Sequence, residues 1–202
     1  MSHRYLALNT LNILKLGHNV DIEKFIFLYT NAPFKELTDS AKAGLESILK
    51  SLDSDSEITD IRHKAYMLAT VYHECAATWL PIEEYGKGKG RKYGVPATET
   101  GLIYYGRGFV QLTWDTVYKR VGDSIGVDLY NHPELALDSD VAYKIMSFGM
   151  KHGIFTGVRL ASFVNDEKCD YINARKIINS LDCADKIAGY AKSFEKILNE
   201  CA

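Results

Sequence analysis

The sequence predicts a mostly helical α+β domain with one small sheet. Three observations carry this expectation. Apolar residues recur at helical spacing in five separate stretches, glycines at 86, 88, 90, 94, 101, 106 and 108 punctuate a segment rich in tyrosine, valine and isoleucine, and no repeat or Pro/Ser-rich linker divides the 202 residues. A chain of this length fills one core, so a single domain over 1–202 is expected, with about 1–35 an N-terminal extension and about 36–202 the core.

Leu45, Ile48, Leu49 and Leu52 stand at i, i+3, i+4 and i+7, which predicts a helix over about 40–52 capped by Asp39 or Ser40. After DSDSE, Thr59 or Asp60 can cap a second helix with Ile61, Ala65, Leu68 and Tyr72 on one stripe, ending near Thr78 ahead of Pro81. The glycine-punctuated stretch to about residue 112 reads as a small hairpin sheet. Helical spacing returns with Trp114, Val117, Tyr118 and Val121, and Thr113 stands where an N-cap belongs. Two more helices follow, about 140–151 with Ala142, Ile145, Met146 and Gly149 inward, capped by Ser139 or Asp138, and about 184–199 with Ile187, Ala191, Phe194 and Leu198.

Composition excludes several classes. A formal net charge of -2 and a pI near 6.3 leave no global footprint of nucleic-acid binding. Residues 1–20 lack the continuous apolar core and small-residue cleavage site of a secretory signal, and no apolar span of about 18 residues occurs, so synthesis in a cytoplasm without membrane insertion is expected. His73 and Glu74 begin a metalloprotease-like pair, but the second histidine that would share their helix face is replaced by Ala77, so no metal is expected. Cys75, Cys169, Cys183 and Cys201 have no metal-type spacing and read as free thiols, Cys75 as a buried structural one.

The stretch HECAATWLPIEEYGKGKGRKYG carries the chemistry. Glu74 falls in the last turn of its helix, where the negative end of the macrodipole disfavours a carboxylate. Apolar neighbours such as Trp79 and Leu80 are expected to add a desolvation effect of the same sign, which suits a general acid. Glu83 and Glu84, in an extended segment, point to opposite faces, so only one can look back at Glu74. Two carboxyl groups in unlike environments are the working parts of a glycosidase, and a separation of about 6.5–9.5 Å gives inversion. The same acids also fit a solvated surface pair. Lys87, Lys89, Arg91 and Lys92 form a basic run without the P-loop pattern, suited to an anionic polymer or to a solvated hairpin tip.

Taken in order, HE at 73–74, PIEEYGKGKGRKYG, YYGRGFVQLTW at 104–114, GVDLYNHPELALD at 126–138 and ARKIINSLDCADKIAGY at 174–190 resemble the glycoside hydrolase family 19 chitinases, in particular their phage and prophage endolysin branch, from about residue 35 to the C-terminus. The resemblance implies a lysozyme-like fold. It makes Glu74 the general acid, Glu84 rather than Glu83 the base that activates water, and Thr113 a holder of that water. Gln111 and Asn179 match sugar-contacting positions. Glu83, Tyr105, Arg107, Trp114 and Lys186 belong to the motifs as further substrate-side candidates, and a packing role is equally open to Tyr105 and Arg107. The chain departs from the family pattern at Val117, where asparagine is frequent, at Lys186, often arginine, and at Ser180, often glycine.

The expected function is that of a peptidoglycan-degrading endolysin, cutting β-1,4 bonds between amino sugars by an inverting mechanism, with no cofactor. A chitinase is the alternative, and a non-catalytic wall-binding module the alternative of another class. Absence of the plant-type cysteine framework and the basic run, suited to a wall polymer whose peptides carry carboxylates, favour the first. The expected partners are glycan strands, with no nucleic acid. The protein is expected to be a monomer, to act on the wall after release, and by resemblance to depend on a holin for delivery.

Overall fold

The computed structural model describes residues 19–202, and the N-terminal expectations for residues 1–18 lie outside the described residues. Helix α1, Ile22–Thr30, begins at Asp21, whose side chain accepts from Lys24 N at 3.0 Å. Ile22, Phe25, Ile26 and Tyr29 hold helical spacing. Phe25 and Tyr29 are buried, and Asp21 N donates to Cys201 O at 3.1 Å, so this described part of the N-terminal extension is packed into the core.

Helix α2, Asp39–Ser54, is capped by Thr38 rather than by Asp39 or Ser40, with the Thr38 hydroxyl accepting from Ala41 N at 3.2 Å. Its four predicted leucine and isoleucine positions are all buried. Helix α3, Ile61–Glu74, starts on Asp60, whose carboxylate accepts from Arg62 N at 2.8 Å. Every residue from Ala65 to Tyr72 is buried, which marks α3 as the central helix. It ends at Glu74, four residues before the expected stop, because Ala76, Ala77 and Trp79 take positive φ angles and turn the chain back.

Strands β1, Ile82–Glu83, and β2, Arg107–Gly108, pair antiparallel with Ile82 opposite Gly108. The expected small sheet is present as a two-residue antiparallel ladder that closes a long excursion of irregular chain. The glycines and prolines of that excursion favour turns over extended pairing. Helices α4, Asp115–Ile125, α5, Ser139–His152, and α6, Ala184–Cys201, complete the fold. Helix α5 is capped by Asp138, one of the two residues expected. The last helix packs most extensively on α3, where Phe194 meets Tyr72 edge to face with ring centroids 6.0 Å apart, and Phe194 also stacks on Phe34, in the turn between α1 and α2, at 4.5 Å. The domain is therefore mostly helical with a small two-stranded sheet. Among the described residues no helix is long and apolar enough to cross a membrane.

Candidate active site

The site forms where the end of α3 meets the β1–β2 ladder. Glu74 is the last residue of α3, and the thiol of the next residue, buried Cys75, lies 3.7 Å from Phe109 O and 3.9 Å from Gly108 O. Burial pushes that thiol well above its ordinary value, which removes it as a nucleophile. Gly106, at the other end of the same turn, donates its N–H to Glu84 Oε2 at 3.0 Å, while Glu84 N donates to Gly106 O at 2.7 Å. Residues 106–109 thereby touch both the Cys75 thiol at the end of α3 and the Glu84 carboxylate.

The surroundings of Glu74 correct the sequence expectation. The Trp79 ring packs with Tyr29, Tyr72 and Phe194 instead of Glu74, and its indole donates to Tyr29 Oη at 3.3 Å. Leu80 turns toward Gly44 of α2. The partner of Glu74 is Arg175, whose guanidinium donates to Glu74 Oε1 at 2.5 Å with only 3% of its side chain exposed. Arg175 sits in a 3₁₀ turn, Asn173–Ile177, and a second donation from its Nε to Asp182 O at 2.9 Å fixes it. The ion pair joins residues 101 apart in sequence and so exists only in the folded chain. Glu74 Oε2 has no protein partner among the described residues. Adjacent His73 is held below its ordinary value, first by burial.

Alternation along the extended segment separates the two following acids. Glu84 Oε1 accepts from Tyr93 Oη at 3.0 Å, so both its oxygens are held by donors. Glu83 is exposed, accepting from Tyr105 Oη at 2.7 Å and pairing with Lys87 at 3.2 Å. The Tyr105 hydroxyl, aided by Lys87, holds its carboxyl below the usual range. Gly106 has no room for a side chain, since a Cβ would lie 2.8 Å from Gln111 Oε1 and 3.3 Å from Glu84 Cβ. Gln111, at φ 58°, sits in the turn after β2 and donates its amide to Ile82 O at 3.0 Å and Gly108 O at 3.2 Å.

Thr113 does not cap α4, because the cap position is taken by Trp114 at φ 72° without a side-chain bond. Among the described residues the Thr113 hydroxyl has no protein partner. Trp114 leaves the expected helix stripe, is 44% exposed and meets Tyr93 edge to face at 5.5 Å. Arg107 is committed to packing: its guanidinium lies 3.6 Å from the Tyr105 ring centre and donates to Tyr118 Oη at 3.1 Å. Asn179 and Lys186 are exposed, Asn179 accepting from Ser180 N at 2.8 Å. Tyr93 and Arg175 are the site residues that sequence reasoning missed. Arg175 lay inside a quoted motif, yet no local spacing announces an ion pair across the fold.

Comparison with known proteins finds similarity over part of the sequence and over the fold. The glycoside hydrolase family 19 profile, described as chitinase class I, matches residues 82–152, the span that holds Glu84, Gly106, Gln111 and Thr113. A basic endochitinase of Vitis vinifera is 34% identical over 98 residues, and chitinase 3 of Oryza sativa subsp. japonica 33% over 99, each alignment covering 41% of this chain. The chain spans about a third of the length of these relatives, 31% in both. Chitinase C from Streptomyces griseus HUT6037 shares the fold at a TM-score of 0.60 and 23% identity, over 91% of this chain and 94% of the other. Glu74 and Arg175 fall outside the span matched by the profile.

Proposed function

We propose that the protein is a glycoside hydrolase that cuts β-1,4 bonds between amino sugars of bacterial peptidoglycan with inversion, in the manner of an endolysin. The observation that carries this reading is a pair of carboxyl groups in unlike settings: Glu74, at the end of α3, with one oxygen on a buried guanidinium and one free, and Glu84, just after β1, with both oxygens on donors. Glu74 Oε2 protonates the departing sugar oxygen, and Glu84 takes a proton from the attacking water. The unpartnered Thr113 hydroxyl can donate to that water or accept from it. Inversion follows if the two carboxyl groups leave space for the water, as a single displacement requires.

Chitin is the second reading, favoured by the chitinase class I match and by the endochitinase names of the relatives. Both polymers share β-1,4-linked N-acetylglucosamine, so the acid–base pair suits either. A non-catalytic wall-binding module is the reading of another class. We further propose that the protein acts as a monomer, and that it reaches the wall only after release from the cytoplasm in which it is made, with a holin supplying passage.

Loss of turbidity of purified sacculi, with wild type beside Glu74→Gln, tests the reaction. The wild type should clear and the variant should be slower by about 10²–10⁴-fold. Equal clearing removes Glu74 from the mechanism. Clearing of chitin alone transfers the proposal to chitinase, and hydrolysis of neither polymer favours the binding module.

A further inference from the structure

The basic run is not the tip of a tight hairpin. It belongs to a loop that leaves Glu84 and returns at Tyr93, with a turn bond at nearly every step: Lys87 N to Glu84 O, Lys89 N to Gly86 O and Arg91 N to Gly88 O, at 3.0, 2.9 and 2.9 Å. The neck of the loop is closed by two glycines in direct contact. A Cβ on Gly94 would lie 1.7 Å from Gly88 O, and one on Gly88 would lie 2.8 Å from Gly94 Cα. Gly88 also needs its φ of 78°. The cations are therefore presented from a pinned frame.

Both ends of that frame are site residues. Glu84 opens it, and Tyr93 closes it by donating to Glu84 and meeting Trp114. Lys87 is paired with Glu83, but Lys89, Arg91 and Lys92 are exposed and, among the described residues, have no carboxylate within ion-pair distance. Lys92 lines a furrow of about 200 Å³ together with Tyr93, Val95, Trp114 and Asp115. An anion bound by these cations thus sits on the loop whose two ends, Glu84 and Tyr93, are bonded to each other.

We infer that the Glu84–Tyr93 loop selects the substrate by binding carboxylates carried on peptide stems of the glycan. The inference rests on the proposed cleavage of amino-sugar polymers and names which of them the site takes. An N-acetylglucosamine homopolymer is uncharged and offers Lys89, Arg91 and Lys92 no partner. Peptide-bearing wall glycan presents carboxylates at intervals along the strand, and a pinned cluster of cations raises their local concentration at the groove.

The test is binding, so that it stands apart from hydrolysis. The full-length Glu74→Gln protein, with and without K89Q/R91Q/K92Q, is sedimented with sacculi, with sacculi whose stem carboxyls have been amidated, and with chitin. Removal of the three cations should weaken sacculus binding about tenfold at low salt, the scale of three exposed ion contacts. Amidation should produce the same loss, with no further effect of the triple variant. Chitin binding should change less than about twofold. An equal loss on chitin, or none on sacculi, overturns the inference, as does a loss that follows removal of wall phosphate polymers instead of amidation. Thermal melts of the triple variant and of Lys92→Gln alone control for folding. Inactivity of the wild type would defeat the proposed reaction while leaving this binding result readable.

Discussion

Arg175 donates to Glu74 at 2.5 Å across 101 residues of sequence, and its other edge is held by Asp182 O. This fixes where the acid's free oxygen points. Lysine keeps the charge but not the two-edged grip, so Arg175→Lys should lower kcat about 10–100-fold with little change in Tm. Arg175→Ala should in addition lose about 1–3 kcal/mol of stability, because two acceptors lose their donor. A wild-type kcat in Arg175→Lys, measured on sacculi, would remove the orienting role.

The identity of the base separates by substitution. Glu84→Gln should reduce kcat about 10²–10⁴-fold, whereas Glu83→Gln, which breaks only contacts to Tyr105 and Lys87, should cost less than about tenfold. The reverse order would transfer the role to Glu83.

Gly106→Ala forces a methyl group against Gln111 and Glu84. Displacement of the Glu84 carboxylate should lower kcat about 100-fold, and crowding should cost about 1–3 kcal/mol. Kinetics paired with denaturant unfolding would show both effects, and unchanged turnover would mean that Glu84 need not sit on the Gly106 N–H.

Because Thr113 caps nothing, Thr113→Val should leave stability within about 0.5 kcal/mol of wild type. A role in holding water predicts about a 10–100-fold fall in kcat from the same change. Loss of stability without loss of rate would return Thr113 to a structural role.

Two groups give the stability a pH dependence. The Glu83 carboxyl titrates lower in the folded than in the unfolded chain, so the unfolded state binds more protons there. Its contribution is present above about pH 4.3 and lost as pH falls through the folded value. With 35% of the side chain exposed, solvent limits that contribution to roughly a few tenths of a kcal/mol. His73 is also lowered, by burial of its neutral form, so stability falls as pH drops below about 6.5 and the unfolded histidine takes up its proton. His73→Gln should flatten the Tm profile between about pH 7 and 5, and Glu83→Gln should matter at pH 6 but not at pH 2. Parallel profiles for all three proteins would contradict both assignments.

The helices were legible because burial writes a period into sequence. Leu45, Ile48, Leu49 and Leu52, like Ile187, Ala191, Phe194 and Leu198, sit where their spacing places them, all buried. Helix α1 carries the same signal in Ile22, Phe25, Ile26 and Tyr29, over a single short helix of nine residues. The small sheet was legible too, but not its extent, since glycine-rich chain supports turns as readily as strands and only two residues on each side pair. Thr113 looked like a cap because a hydroxyl before a helical stripe usually is one, and only backbone angles reveal that Trp114 takes the position.

By itself the sequence determined a helical domain with a short sheet, the order of its main elements, and a concentration of acids and cations between 74 and 92, because local patterns follow from periodicity and turn chemistry. Tertiary structure alone decided that Glu74 is partnered by Arg175, that Glu84 is held between Gly106 and Tyr93, and that the basic loop is pinned at its neck. Hydrogen bonds and ion pairs act over a few ångströms whatever the separation along the chain, so no local pattern records them.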